Sequence, residues 1–227
     1  MSSKPPERSP EPPPAQPPYG DPETRERILT TTRELVAERG AKLKLGDVAE
    51  RAGVSRQTIY LHFGDRTGLL LAVVQHMDQT LRLSESLAHV FAAESGAEVI
   101  ARTMALHGRF SASVDPVALM LEAAQYEDEA LGAAWRDRMH LRHQVHRRIV
   151  QRIAELGELS GEWSADIAAD LLYAMTLPAP WRELTRELGW GDSQYVDAMS
   201  ALISKALLSP GAMPSIRRRA RRQRRAS

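Results

Sequence analysis

The chain contains no cysteine in its 227 residues. This excludes disulfide bonds, thiol catalysis and zinc sites with cysteine ligands, and it fits a reducing compartment. The longest uninterrupted apolar run, GLLLAVV, is far shorter than the ~20 residues that span a membrane. The N-terminus has no apolar segment of the kind found in signal peptides. We therefore expect a soluble, cytoplasmic protein with no membrane partner.

Sequence patterns of common enzyme sites are also missing. The chain has no G-x-S-x-G, no phosphate-binding Walker loop, no dinucleotide fingerprint and no H-E-x-x-H. We expect no enzymatic activity and no cofactor. A catalytic site assembled in three dimensions from distant residues is the alternative, and turnover would distinguish it.

Charge is distributed unevenly along the chain although the net charge is only +1. Residues 77–216 contain 12 Lys and Arg against 19 Asp and Glu, residues 21–76 contain 9 against 8, and Arg217 to Arg225 holds 7 Arg and no acid. Any contact with nucleic acid must therefore be confined to a local basic surface.

Both ends of the chain have a composition typical of disorder. Residues 1–20 carry eight prolines and little apolar surface, which predicts a disordered arm, with docking to an SH3-like partner as the alternative. We also expect residues 211–227 to form a disordered Arg-rich tail that contacts phosphates without reading sequence.

Between the tails, the pattern predicts an all-α protein. Ala, Leu, Glu and Arg are frequent and β-type alternation is missing. Pro22 fits the start of a first helix that buries Ile28, Leu29, Leu35 and Val36 and ends at Gly40, and Asp65 fits the cap of a longer helix. We expect further helices near residues 96–112, 116–126, 129–156, 163–177 and 193–208, with breaks at Asp115-Pro116, Gly157, Gly161, Pro178/Pro180 and Gly189/Gly191.

The stretch DVAERAGVSRQTIYLHFGDR predicts a helix-turn-helix. Val48, Ala49 and Ala52 give the first short helix an apolar face, and Gly53 permits the sharp turn. Ser55 can cap the second helix, whose Ile59 and Phe63 face inward because they are four residues apart. The polar first turn of that second helix is thus left to enter a DNA major groove. An ordinary helical hairpin is the alternative interpretation.

The side chains on this second helix suit DNA. Arg pairs with guanine, Gln with adenine, and Thr with a base edge or a thymine methyl, while hydroxyl, ring N–H and basic groups reach phosphates. We expect the DNA-binding residues to be Lys42, Lys44, Ser55, Arg56, Gln57, Thr58, Tyr60, His62 and Arg66.

The segment AGVSRQTIYLHFGDRTGLL resembles the signature of TetR-type transcriptional regulators, and the resemblance covers about residues 22–76. It implies a three-helix DNA-binding domain over residues 21–66, followed over residues 67–210 by a larger helical domain for effector binding and dimerisation. It also implies that Thr58, Tyr60, His62 and Arg66 hold the DNA backbone while Arg56 and Gln57 read bases. The family often has a basic or polar side chain at the position of Gly46, so we expect base reading to depend on the second helix.

Reading a useful length of DNA requires a homodimer on a palindromic operator. Two apolar stripes at helical spacing are candidates for its interface, and by resemblance they would form a four-helix contact. The alternative is that both stripes face their own core. The expected interface comprises Ile167, Leu171, Met175, Tyr195, Met199, Leu202, Ile203 and Ala206.

Methionine and aromatic residues in the middle of the chain could line a pocket for a small apolar or aromatic effector, whose existence the resemblance implies. Ordinary core packing is the alternative. The expected ligand-binding residues are Met104, His107, Phe110, Met120, Tyr126, Trp135, Met139, Tyr173 and Trp181. We expect a repressor that its effector releases from DNA, and the alternative is a constitutive DNA-binding or scaffold protein without an effector.

Three histidines, His140, His143 and His146, follow one another at intervals of three residues. At this spacing the imidazoles fan apart around a helix, and Arg147 and Arg148 add positive charge beside them. We therefore expect a solvated face and no metal.

Overall fold

The computed structural model describes residues 21–81 and 83–212, so the predicted Pro-rich arm and nearly all of the predicted Arg-rich tail lie outside the described residues. Within these residues the chain forms ten α-helices. They are α1 (Pro22–Arg39), α2 (Leu45–Ala52), α3 (Arg56–Phe63), α4 (Arg66–Thr80), α5 (Leu83–Phe91), α6 (Gly96–Ala124), α7 (Glu129–Glu155), α8 (Ala165–Met175), α9 (Pro178–Arg182) and α10 (Asp192–Leu207). The all-α prediction is confirmed.

Helix boundaries follow local capping chemistry. The Asp21 carboxylate accepts the N–H groups of Glu23 and Thr24, and Pro22 occupies the first turn of α1, where its missing N–H costs nothing. Gly40 ends α1 with a φ of 56°. The predicted start and stop of α1 are confirmed. An Asp or Ser side chain caps five later helices in the same way as Asp21: Ser55, Asp65, Ser95, Asp128 and Ser164.

The first apolar core joins α1–α4 to the last turns of α6 and the start of α7. Ile28, Leu35, Ile59 and Leu70 are fully buried there, and Val117, Met120, Leu121, Ala124 and Leu131 belong to the same cluster. The core therefore extends across residue 66, where the sequence predicts the boundary between two domains.

A second core lies between α5, the first half of α6, the C-terminal half of α7, and α8 to α10. It includes Val90, Ile100, Ile153, Leu172 and Ile203. The segment after α7 pairs with the end of α10, because Ser160 N–H donates to the Leu207 carbonyl at 2.8 Å and Ser209 N–H donates to the Glu158 carbonyl at 2.9 Å.

The predicted break at Asp115-Pro116 is wrong, because α6 runs without interruption from Gly96 to Ala124. Proline in a helix interior removes one hydrogen bond, here the one that would be accepted by the carbonyl of Ala112. Ala112 is exposed, so water can bind this carbonyl, while Val117 and Ala118 are buried and anchor the next turn. Pro178, another predicted break, begins the short α9, where its ring is tolerated.

None of the helices among residues 21–81 and 83–212 combines the length and apolarity that crossing a membrane requires.

Candidate nucleic-acid interface and ligand cavity

A tight turn connects α2 and α3. Gly53 adopts the left-handed conformation (φ 65°, ψ 37°), and the Val54 N–H donates to the Ala49 carbonyl at 3.0 Å, which closes the end of α2. The Ser55 hydroxyl then accepts the Thr58 N–H at 3.0 Å and so caps α3. The structure therefore has the predicted helix-turn-helix geometry.

Two arginines of α1 fix the ends of this unit, a role that helical periodicity does not reveal. Arg25 donates from Nη1 to the His62 carbonyl at 3.1 Å and lies 4.6 Å from the centre of the Phe63 ring. Arg27 donates from Nε to the Ala52 carbonyl at 3.1 Å. Both carbonyls belong to last turns of helices, which lack acceptor partners within the helix and favour positive charge.

The outer face of α3 is polar and exposed. Ile59 is fully buried and holds the helix to the core, whereas Arg56, Gln57 and Tyr60 are exposed, Tyr60 by 51%. Lys42, Lys44 and Ser55 are also exposed, and Thr58 is half-buried with its hydroxyl 2.9 Å from that of Ser55. The structure thus brings the predicted base-reading residues together on one accessible surface.

Leu61 lies on the same surface, with 66% of its area exposed, and sequence analysis did not select it. It stands four residues after Gln57, so the two side chains share one side of α3. An exposed leucine in this position can contact a thymine methyl group. The spacing from Gln57 was the signal that could have revealed it.

The two remaining predicted phosphate contacts, His62 and Arg66, are partly enclosed. The His62 ring is half-buried, its centre is 5.8 Å from that of Phe63, and its Nδ1 is buried without a hydrogen-bond partner. Arg66 is half-buried and its Nε donates to the Leu43 carbonyl at 3.0 Å. Both residues therefore support the local fold in this structure.

The absence of a side chain at Gly46 leaves space for Arg56, one of the predicted base-reading residues. A Cβ atom on Gly46 would lie 2.5 Å from Nη2 of Arg56, so the guanidinium packs over the place where other residues carry a side chain. The residue that departs from the TetR-type pattern therefore allows Arg56 to fold back against α2.

A cavity of about 260 Å³ lies between α4, α5, α6, α7 and α9. Its wall is largely apolar and includes Leu87, Leu106, Phe110, Trp135 and Trp181. Helix α4 contributes Val74, Met77 and Asp78. The cavity is therefore in direct contact with the helix that follows the helix-turn-helix.

Five of the nine predicted ligand-binding residues line this cavity: His107, Phe110, Trp135, Met139 and Trp181. The other four do not, and the prediction is corrected for them. Tyr126 is 89% exposed because it follows the last turn of α6, while Met104 and Met120 are fully buried within the two cores. Tyr173 borders a separate open hollow beside His143 and Asp170.

A polar network crosses one part of the cavity wall. The His107 Nε2 lies 2.9 Å from the Tyr195 hydroxyl, and its Nδ1 lies 3.4 Å from Nη2 of Arg142. A guanidinium only donates, so Nδ1 is the acceptor and the proton resides on Nε2. Burial and then the charge of Arg142 lower the pKa of His107 to about 3, and burial raises the pKa of Tyr195 to about 12. Both groups are neutral at pH 7.

His146, one turn after Arg142, is also neutral. Its Nδ1 donates to the Arg142 carbonyl at 2.6 Å, and its Nε2 lies 2.8 Å from the Thr176 hydroxyl. Burial, followed by the positive charge of Arg142, lowers the pKa of His146 to about 4. This part of the wall thus holds two neutral imidazoles around one guanidinium.

The three predicted solvated histidines therefore differ. His146 is buried and points inward, His143 lies 2.7 Å from the Asp170 carboxylate, and His140 lies 2.7 Å from Gln144. They do not converge, and the described residues contain no group of three or more His, Cys, Asp or Glu arranged to hold a metal. The solvated-face expectation is wrong for His146, because helical spacing turns it toward the core.

One hydrogen bond joins the first turn of α4 to the first turn of α7. The Thr67 hydroxyl donates to the Asp128 carboxylate at 2.5 Å, and the same carboxylate caps α7 through the N–H groups of Ala130 and Leu131. This bond lowers the pKa of Asp128. The end of the helix-turn-helix is therefore tied to a helix that lines the cavity.

The eight predicted dimer residues separate into three groups by burial. Tyr195, Met199 and Ile203 are buried in their own core, so the stripe on α10 faces inward and these three are corrected. Leu171, Met175 and Ala206 are half-buried. Ile167 is 49% exposed and Leu202 is 52% exposed.

Residues 28–73 match the family model for bacterial regulatory proteins of the tetR family. One relative is the HTH-type transcriptional repressor Rv3405c of Mycobacterium tuberculosis, which is 33% identical over 93 residues. That match covers 40% of this chain and 46% of the relative, so the chain spans about half the length of this curated relative.

Solved structures share the fold over most of the chain. A putative transcriptional regulator from Saccharomonospora viridis, in complex with choline, superposes with a TM-score of 0.72 at 19% identity, covering 83% of this chain and 100% of the other. The complex of SmeT, a Stenotrophomonas maltophilia repressor, with triclosan gives a TM-score of 0.68 at 18% identity, covering 85% of this chain and 95% of the other.

Proposed function

Because the chain belongs to the tetR family of bacterial regulatory proteins, we propose that it is a cytoplasmic DNA-binding transcriptional repressor. It binds a palindromic operator as a homodimer and leaves DNA when a small effector occupies the cavity. The relative Rv3405c is named a repressor, and the two solved relatives hold small molecules.

The observation that carries this proposal is the two-sided character of α3. Its inner side is anchored by the fully buried Ile59, while Arg56, Gln57 and Leu61 stand on the exposed side. A rigid helix with an accessible polar first turn is what major-groove recognition requires. We assign base reading to these three exposed residues and phosphate contacts to the remainder of the predicted set.

The dimer interface that we propose is the exposed apolar surface formed by Trp163, Ile167 and Leu202. Trp163 Nε1 donates to the Ala206 carbonyl at 2.9 Å, which places the start of α8 beside the last turns of α10. Trp163 is 37% exposed, and Ile167 and Leu202 are about half exposed. A two-fold axis through this surface would repeat each contact and bury these side chains.

Release from DNA follows from the position of α4. This helix begins three residues after α3 and contributes Val74, Met77 and Asp78 to the cavity wall. An effector that fits the cavity better when α4 is displaced would lower the population of dimers whose two α3 helices match the operator.

Two measurements test the DNA-binding proposal. Sites selected by the full chain from random DNA should be palindromic, and binding should weaken with salt. Gln57→Ala should reduce affinity by roughly 1–3 kcal/mol at one or two base positions. Gln75→Ala is the matched control, since Gln75 is exposed on α4 outside the recognition surface. A uniform loss for every DNA sequence would remove Gln57 from the base-reading set.

A constitutive DNA-binding protein is the second candidate, and one experiment separates it from the switch. Small molecules are screened for release of the selected operator and for a rise in melting temperature. A compound that does both supports the effector. Operator binding that no compound alters would favour the constitutive protein.

A further inference from the structure

One charge in the cavity wall has no counter-ion. The wall contains the charged residues Asp78, Asp115, Arg138 and Arg142. Arg138 makes two contacts of 2.6 Å with Asp78, and Asp115 lies 3.5 Å from Nε of Arg182. Among the ion pairs of residues 21–81 and 83–212, none includes Arg142.

The hydrogen bonds of Arg142 do not compensate for this. Its Nη2 donates to the Thr176 carbonyl and approaches the neutral His107, while its Nε is buried without any acceptor. Burial lowers the pKa of the Arg142 guanidinium, yet arginine keeps its proton in proteins. Arg142 is half-buried, and a partly desolvated guanidinium without a carboxylate is unfavourable. A ligand that supplies a carboxylate would relieve this cost.

The residues around Arg142 indicate the chemistry of the remaining part of such a ligand. Leu106, Leu141 and Val145 line the cavity with Arg142, and so does Trp181, whose indole N–H is a second buried donor without an acceptor. The cavity is slightly smaller than the ~300 Å³ at which typical ligand sites begin. Its chemistry therefore selects a small molecule with an apolar body and at least one hydrogen-bond acceptor.

We propose that the cavity binds small carboxylic acids with an alkyl or aromatic body, whose carboxylate pairs with the guanidinium of Arg142. This inference rests on the proposed function in that it names the chemical class of the effector for the same cavity. A planar guanidinium matches a carboxylate through two parallel hydrogen bonds, which gives both affinity and orientation.

Three probes that share an eight-carbon chain test the proposal: octanoate, 1-octanol and octyltrimethylammonium. Each is titrated into the full-length protein by calorimetry, with the total tryptophan fluorescence, to which Trp135 and Trp181 contribute from the cavity wall, as a second readout. Octanoate is expected to bind at least about tenfold more tightly than octanol, and the cation is expected to bind more weakly than octanol.

Substitutions of Arg142 identify the responsible group. In Arg142→Met, the affinity for octanoate should fall to that for octanol, because the group that pairs with the carboxylate is removed and the apolar wall remains. Arg142→Lys should retain a preference for the anion. Arg147→Met is the matched control, since Arg147 is an exposed arginine on the same helix and does not line the cavity.

Failure to bind octanoate, equal affinity for octanoate and octanol, or an anion preference that survives in Arg142→Met would each overturn the proposal. DNA binding is measured separately on the selected operator. If octanoate binds through Arg142 and leaves the operator complex intact, the carboxylate site stands and effector-driven release fails. If a neutral compound releases the operator and octanoate does not bind, effector-driven release stands and the carboxylate site fails.

Discussion

Acidification from pH 7 to pH 5 is expected to destabilise the fold through His107 and His146. A histidine in the unfolded chain has a pKa of about 6.5, whereas burial beside Arg142 lowers the pKa to about 3 in His107 and about 4 in His146. Below pH 6.5 the unfolded state therefore binds protons that the folded state does not bind. Stability is fully present above pH 6.5 and falls as the pH drops toward the folded-state pKa values.

The size of the loss follows from these values. Each pH unit between the unfolded and the folded pKa costs about 1.4 kcal/mol for each histidine. At pH 5 each histidine should therefore cost about 2 kcal/mol of unfolding free energy. The two losses need not add fully, because the charge on one imidazole affects the other.

Urea unfolding of the wild-type protein and two variants measures this effect at a fixed protein concentration. His107→Gln retains a donor toward the Tyr195 hydroxyl, and His146→Asn retains a donor toward the Arg142 carbonyl. Each variant should lose about 2 kcal/mol less than the wild type between pH 7 and pH 5. Between pH 7 and pH 8 neither histidine titrates, so all three proteins should change equally. Identical losses in all three proteins between pH 7 and pH 5 would refute the assignment of neutral, buried imidazoles.

Three further predictions concern the interfaces of the molecule. Gly46→Ala should raise the unfolding free energy by up to about 1 kcal/mol through helix propensity while displacing the Arg56 guanidinium; a lower stability would show that the folded-back guanidinium stabilises α2. Thr67→Val should preserve binding of ligand and of DNA separately but reduce the effect of ligand on operator affinity by roughly 0.5–2 kcal/mol, and an unchanged effect in a fluorescence titration would contradict the role of its bond to Asp128. Leu202→Asp should convert the dimer to a monomer in sedimentation velocity, and a dimer that persists would exclude the proposed surface.

Features set by neighbouring residues could be predicted from the sequence. The turn at Gly53, the cap at Ser55 and the inward position of Ile59 all depend on atoms within a few residues along the chain, and the structure agrees with each. Local capping chemistry is nearly independent of the remainder of the fold, which is why these predictions succeed.

Features set by distant residues could not be predicted. The stripe of Tyr195, Met199 and Ile203 indicates that one side of α10 is buried, but periodicity does not tell whether a partner subunit or the same chain covers it. Pro116 similarly indicates a weak point in a helix, but the core that buries Val117 directly after it is built largely by other helices, which the local sequence does not show. In the sequence, Arg142 cannot be distinguished from a surface arginine. Whether it has an ionic partner depends on where the acidic residues of other helices lie in the fold.

The continuity of the first core across residue 66 limits how this protein can be recombined with others. A chimera that grafts residues 21–66 onto a foreign sensor would cut α4 away from Ile28 and Leu35, and would also remove Val117, Met120 and Leu121 from the same cluster. Those apolar surfaces would then meet side chains that did not evolve to fit them. A functional transplant must therefore include α4 together with the segment 117–131, or must redesign both sides of that junction.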